Sequence, residues 1–157
     1  MEQNIRYRSA QQSDLDSILQ LLPHLSDFEL PLRRVARHLW EGDAALLTSV
    51  LEQRSAVTFA DVAVDSAGRI QGVIMVTLRE ELLSHAPSAH LETIVVAPAA
   101  RGRGVGRSLL ARAEDRAREL GAQSLTLHVF SNNHRARRLY QRGGYEEELL
   151  RCIKWLD

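Results

Sequence analysis

Residues 101–107 read Arg-Gly-Arg-Gly-Val-Gly-Arg, and they are the stretch of this 157-residue chain best suited to chemistry. Glycines at 102, 104 and 106 remove side chains that would keep a ligand away from the peptide N–H groups. Val95, Val96 and Pro98 precede the loop, and an apolar stripe of Val105, Leu109, Leu110, Ala113 and Ala117 follows it. The loop therefore lies between a strand and a helix expected over 104–120, closed by Gly121. The first N–H groups of such a helix lack intrahelical acceptors and carry the positive end of its dipole, so an anion such as a pyrophosphate suits them. Arg101, Arg103 and Arg107 add forked donors matched to phosphate oxygens. Two known phosphate loops fit poorly. The Walker ending Gly-Lys-Ser/Thr is absent, and a Gly-x-Gly-x-x-Gly reading from Gly102 or Gly104 meets Arg107 or Leu109 where the third glycine belongs. Taken alone, the loop is equally compatible with a plain structural turn.

The elements around it are legible from periodicity. Residues 4–9 alternate as a strand, and Leu15, Ile18, Leu19 and Leu22 recur at helical spacing after a capping box at Ser13 and Asp16, until Pro23. Residues 32–53 read as helical with a break near Gly42. Strands over 57–64 and 70–78 around the turn Asp65–Gly68 imply an antiparallel hairpin. A polar stretch (79–89) leads to a fourth strand, Leu91 to Val96, and a fifth follows from Leu125 to Phe130. A short helix carries Ala136, Leu139 and Tyr140, ends at Gly143-Gly144, and leaves Tyr145 to Ile153 for a last strand. The expectation is one domain over 1–157, of α/β (α+β) class, with helices on both faces of a mixed sheet.

Composition narrows the function classes. A 45% hydrophobic, 25% charged chain is that of a globular protein. The single cysteine, Cys152, permits no intrachain disulfide or zinc cluster, so no metal is expected, and it suits a reducing compartment. No apolar run is long enough for a membrane span and residues 1–6 lack a signal-peptide core, so the expected location is the cytoplasm. Zero net charge argues against nucleic acid as a partner, yet the charge is uneven. Residues 1–100 carry 8 Arg against 13 acidic residues; residues 101–151 carry 11 Arg against 6. An anionic ligand suits the second half. A cationic one suits the first, which includes Asp27, Glu29, Glu41, Glu80 and Glu81.

Arg101-x-x-Gly104-x-Gly106 preceded by Val96-x-Pro98 resembles the signature of the GCN5-related N-acetyltransferase (GNAT) superfamily. Asn133-x-x-Ala136-x-x-Leu139-Tyr140 followed by Gly144-Tyr145 resembles that family's second block, with Tyr in place of the usual Phe. The resemblance implies a GNAT-like, mostly antiparallel sheet of about six to seven strands, splayed between the fourth and fifth. It also implies acetyl-CoA as cofactor, with its pantetheine arm on the backbone of Ile94, Val95 and Val96. Its pyrophosphate would lie on the loop Arg101, Gly102, Arg103, Gly104, Val105, Gly106, with Arg107 beside it. A backbone N–H near Ile94–Val95 would face the thioester carbonyl oxygen. Asn133 would contact the cofactor, although Asn is equally a helix cap. Tyr140 would protonate the departing thiolate, and Glu92 would serve as the base for the acceptor amine. His90, His128, Glu80 and Glu81 are further candidates for the base, and His24, His38, His85 and His134 receive no role. Cys152 lies outside the motifs and is expected to be buried in the last strand.

The implied reaction is direct transfer to a primary amine of a small molecule in a ternary complex. Transfer to a protein or peptide amine stays open, as does a non-catalytic acyl-CoA-binding module. A homodimer also stays open, and no interface signature appears in the sequence.

Overall fold

The structure, a computed structural model, describes residues 4–157. Its elements are β1 (Arg6–Ser9), α1 (Leu15–Leu21), α2 (Glu41–Gln53), β2 (Thr58–Val64), β3 (Ile70–Glu80), β4 (Pro87–Val96), α3 (Val105–Glu119), β5 (Leu125–Thr126) and α4 (His134–Arg142). The strands form one sheet in the order β1-β2-β3-β4-β5, antiparallel except for the parallel β4–β5 pair. One face carries α3 and α4 over Ala63, Ile74, Val76 and Leu91; the other carries α1 and α2 over Ala60, Val62, Val73 and Met75. The alternation along β2 and β3 divides its apolar residues between two cores, which is why β2 is buried along its whole length.

Close approach of α3 to the sheet depends on Gly72 of β3. A Cβ there would meet Leu109 Cδ1 at 3.0 Å and the Val95 carbonyl at 3.2 Å. A buried ion-pair cluster locks the same helix: Asp61 of β2 is fully buried and accepts from Arg112 at 3.1 Å and Arg116 at 2.7 Å. The Arg116 guanidinium also sits 4.4 Å from the Phe59 ring centroid.

Several expectations are corrected. The sheet has five strands among the described residues, because Tyr145 to Ile153 forms none and residues 146–157 are exposed. Cys152 is accordingly exposed. The fifth strand is paired only at Leu125–Thr126, opposite Ala89 and His90, and Leu127 to Phe130 diverge from β4. Of the helix expected over 32–53, only Ala36–Leu39 (as a 3-10 turn) and α2 form, separated at Trp40, close to the break expected near Gly42. The polar stretch 79–89 is partly strand, since β3 runs on to Glu80 and β4 starts at Pro87, leaving a connection at 81–86. The capping box is at Gln11 and Asp14, where the Gln11 N–H donates to the Asp14 carboxylate at 2.8 Å.

Candidate active site

The divergence of β5 from β4 opens a cleft of about 830 Å³ between the two strands and the N-terminal ends of α3 and α4. Its size lies within the range of small-molecule sites. At one end is the glycine-rich loop. Gly104, the N-cap of α3, has φ +80°, a left-handed conformation that an L side chain resists. Among the described residues, the N–H groups of Gly102 through Gly106 donate to no backbone carbonyl; Ser108 donates at 3.0 Å to the Gly104 carbonyl. Five adjacent donors thus stand free at the positive end of a fifteen-residue helix.

Arg101 does not point into this cradle. Its Nε donates to the Val96 carbonyl at 3.2 Å and a terminal nitrogen donates to Asp27 at 2.9 Å. Asp27 also accepts from His24 Nδ1 at 2.8 Å. Burial raises the Asp27 carboxyl, and the hydrogen bonds from Arg101 and His24 outweigh this and hold it below its ordinary value. Arg101 is therefore a staple between the loop and the turn after α1, and Asp27 is already paired. Arg107 lines the cleft, whereas Arg103 is exposed and does not. Arg135, Arg138 and Arg142 of α4 line it as well.

Along β4 the cleft wall is Leu91 to Val96. Met75 of β3 pairs with Thr93 and Val76 with Leu91, so Glu92 is the extra residue of a β-bulge. The bulge brings Glu92 to the α2 face, within charge reach of Asp43 near the start of α2. Asp43 also lines the cleft. Burial first, and then the Glu92 charge, push the Asp43 carboxyl up to about 7. Next to Glu92, the Thr93 hydroxyl is buried and has no partner among the described residues. Counted along the strand at ~3.3 Å per residue, this carboxylate pair lies roughly 13 Å from Val96 and the loop.

On the opposite wall, Tyr140 of α4 is 7% exposed, and burial pushes its hydroxyl up to about 12, so it stays protonated at physiological pH. Tyr145 packs edge-on against it, with ring centroids 5.9 Å apart, and donates its own hydroxyl to Glu114 at 3.0 Å. Asn133 caps α4, its side-chain oxygen accepting from the Ala136 N–H at 3.4 Å, and it lines the cleft too. Both readings of Asn133 from the sequence are thus compatible with one position.

Of the residues given a role at the site from the motifs, only Arg103 stands outside the cleft; the motif positions Pro98, Gly144 and Tyr145 do not line it either. The other candidate bases fare differently. His90 donates to or accepts from the Thr126 hydroxyl at 2.8 Å, and burial, then Arg79 and His128, lower it to about 4. It is neutral and occupied. His128 lines the cleft with its ring 4.9 Å from that of His90. Glu81 caps its own turn by accepting from the Leu83 N–H at 2.6 Å, and Glu80 faces His85; neither reaches the cleft. Asp43, Thr93 and the α4 arginines were not singled out from the sequence. A basic run at 135–142 was the only linear signal for any of them.

Comparison with known proteins agrees with this geometry. The model of the acetyltransferase (GNAT) family matches residues 20–145. The chain is 32% identical over 141 residues to the uncharacterized N-acetyltransferase YhfO of Bacillus subtilis, covering 90% of this chain and 89% of that protein. It is 30% identical over 150 residues to an aminoalkylphosphonate N-acetyltransferase of Salmonella typhimurium, covering 95% and 90%. The fold is similar to that of the aminoglycoside N-acetyltransferase AAC(6')-Iy crystallised with CoA, with a TM-score of 0.74 at 20% identity over 100% of this chain and 97% of that one. The free N–H cradle, the splayed strands and the family match converge: the chain belongs to the acetyltransferase (GNAT) family and is an acyltransferase whose acetyl donor is acetyl-CoA.

Proposed function

We propose that the protein transfers an acetyl group from acetyl-CoA to a primary amine of a small molecule. One observation carries this reading: a single cleft has a free N–H cradle at one end and the Asp43–Glu92 carboxylate pair further along the same strand. The first suits the diphosphate of the donor and the second suits an ammonium group. The relatives named for small-molecule acceptors, an aminoalkylphosphonate and an aminoglycoside, support the same class.

The donor supplies an activated thioester carbon and a thiol leaving group. The cradle N–H groups of residues 102–106 bind its diphosphate, with Arg107 adding charge. Arg101 sets the shape of the loop by anchoring it to Asp27 and Val96. The Val96 carbonyl already accepts from Arg101, and the Ala97 N–H donates to the Gln71 carbonyl, so the alternation along β4 turns Val95 toward β3 and leaves the outward backbone groups of Ile94 to the pantetheine arm. Asp43 and Glu92 receive the proton that the acceptor ammonium must lose before its nitrogen can attack. Tyr140, still protonated, donates to the departing sulfur across the cleft.

A thiol-release assay with acetyl-CoA against amino acids, polyamines, aminoalkylphosphonates, aminoglycosides and peptides tests the reading. Turnover on a small amine is the expected result. Saturable donor binding without turnover on any acceptor would favour an acyl-CoA-binding module, and turnover only on peptides would favour a protein acetyltransferase.

A further inference from the structure

Charge in the cleft is divided by element. The arginines that line it, Arg101, Arg107, Arg135, Arg138 and Arg142, all sit on the glycine-rich loop, α3 or α4. Asp43 of α2 and Glu92 of β4 are the carboxylates of the remaining walls among the described residues. A further acidic residue of the lining, Glu114, lies on α3 and already accepts from the Tyr145 hydroxyl at 3.0 Å. Burial and the Glu92 charge act on Asp43 with no cation to offset them. The α2–β4 end of the cleft is therefore an acid pair without a basic partner.

An independent observation marks the same end. Thr93, next to Glu92, lines the cleft and is 2% exposed, and its hydroxyl has no partner among the described residues. The register sets it opposite Met75, whose side chain belongs to the α1/α2 core, so Thr93 faces the side from which Asp43 comes. A buried hydroxyl without a partner is costly, and an N–H donor brought to it removes the cost. Around these polar groups the wall is apolar: Leu39, four residues before Asp43, and Leu25 line it.

We infer that the acceptor is a monoamine on an uncharged, apolar body, its ammonium held between Asp43 and Glu92, and that amines bearing an acid group are rejected. This rests on the reading that the cleft acetylates a small amine, and it narrows that acceptor. A carboxylate or phosphonate near the amine would stand beside two carboxylates, and like charges in such a site are strongly disfavoured. The loop arginines lie roughly 13 Å further along the strand, where the donor's phosphates bind, and those of α4 lie across the cleft. A second ammonium finds no free acid either, because Tyr145 holds Glu114, and Arg101 and His24 hold Asp27. An uncharged chain meets Leu25 and Leu39 instead.

The test is a set of acceptors that share one aminopropyl arm and differ only at its far end: butylamine, 1,3-diaminopropane, 4-aminobutanoate and 3-aminopropylphosphonate. Thiol release from acetyl-CoA gives kcat/KM for each with the full chain. Butylamine is expected to exceed both acids by at least about tenfold and to exceed the diamine. Asp43→Asn and Glu92→Gln slow every acceptor, so the readout there is the margin of butylamine over the acids, which should narrow several-fold. A margin below about tenfold for either acid, a diamine used as well as butylamine, or a margin that neither variant narrows overturns the inference and leaves the small-amine reading standing. Turnover on none of the four overturns that reading and the inference with it.

Discussion

At the residue scale, proton traffic in the proposed reaction depends on two groups that burial treats in opposite functional directions. Asp43 has its ionisation displaced into the working range, while Tyr140 is kept from ionising at all. A carboxylate accepts a proton only when charged, and Asp43 is charged above its raised pKa. We therefore expect kcat/KM to rise with pH through an inflection near 7, which a pH–rate profile of wild type and Asp43→Asn will reveal. The variant should lose the inflection and roughly 100-fold in rate. The sign for stability is opposite. A carboxyl whose folded pKa lies above its unfolded value contributes stability at low pH and loses it as pH rises through 7. Asp43→Asn should thus unfold at a higher temperature than wild type at pH 8 and show little gain at pH 4. Tyr140→Phe should lower kcat by about 10²-fold with an unchanged KM for acetyl-CoA, since only the proton donor is removed. Tyr140 and Glu92 were legible from their place in motifs. Asp43 was not, because it sits in α2, about fifty residues before Glu92 of β4 in sequence, and only the folded chain brings the two within charge reach.

At the scale of elements, α3 is held from below and opened at its tip. Asp61 is fully buried, whereas its partners Arg112 and Arg116 are 40% and 35% exposed. Removing both arginines leaves the buried carboxylate uncompensated, so the double variant Arg112→Ala, Arg116→Ala should cost about 3 kcal/mol in chemical denaturation while KM for acetyl-CoA stays near wild type. Gly104→Ala should act the other way round. Its Cβ would meet nothing within 4 Å, so the cost is the left-handed backbone itself, about 1 kcal/mol, paid at the cradle. Weaker binding of acetyl-CoA by calorimetry, out of proportion to the small stability loss, is the expected outcome. The strand–loop–helix order around this tip was legible because apolar periodicity and glycine spacing are local properties. Arg101 shows the limit: its type suggested a phosphate ligand, and its actual partners, Val96 and Asp27, come from different parts of the chain.

For the whole molecule, a net charge of zero conceals a division, with five of the eleven arginines of residues 101–151 lining the cleft. Coulombic attraction at the cleft mouth is screened by salt, so acetyl-CoA affinity should fall several-fold between about 0.05 and 0.5 M NaCl. Arg107→Ala should flatten that dependence, as measured by calorimetric titration. What the sequence determined by itself was the donor half: strands and helices with strong periodicity, the loop at 101–106, and the family that these imply. What only the tertiary structure decided was the rest of the cleft, and the reason is physical. Periodicity and turn chemistry act between near neighbours. The bulge at Glu92, its pairing with Asp43, the Arg101 staple and the unpaired segment after Tyr145 arise from contacts between distant residues, for which no local pattern codes.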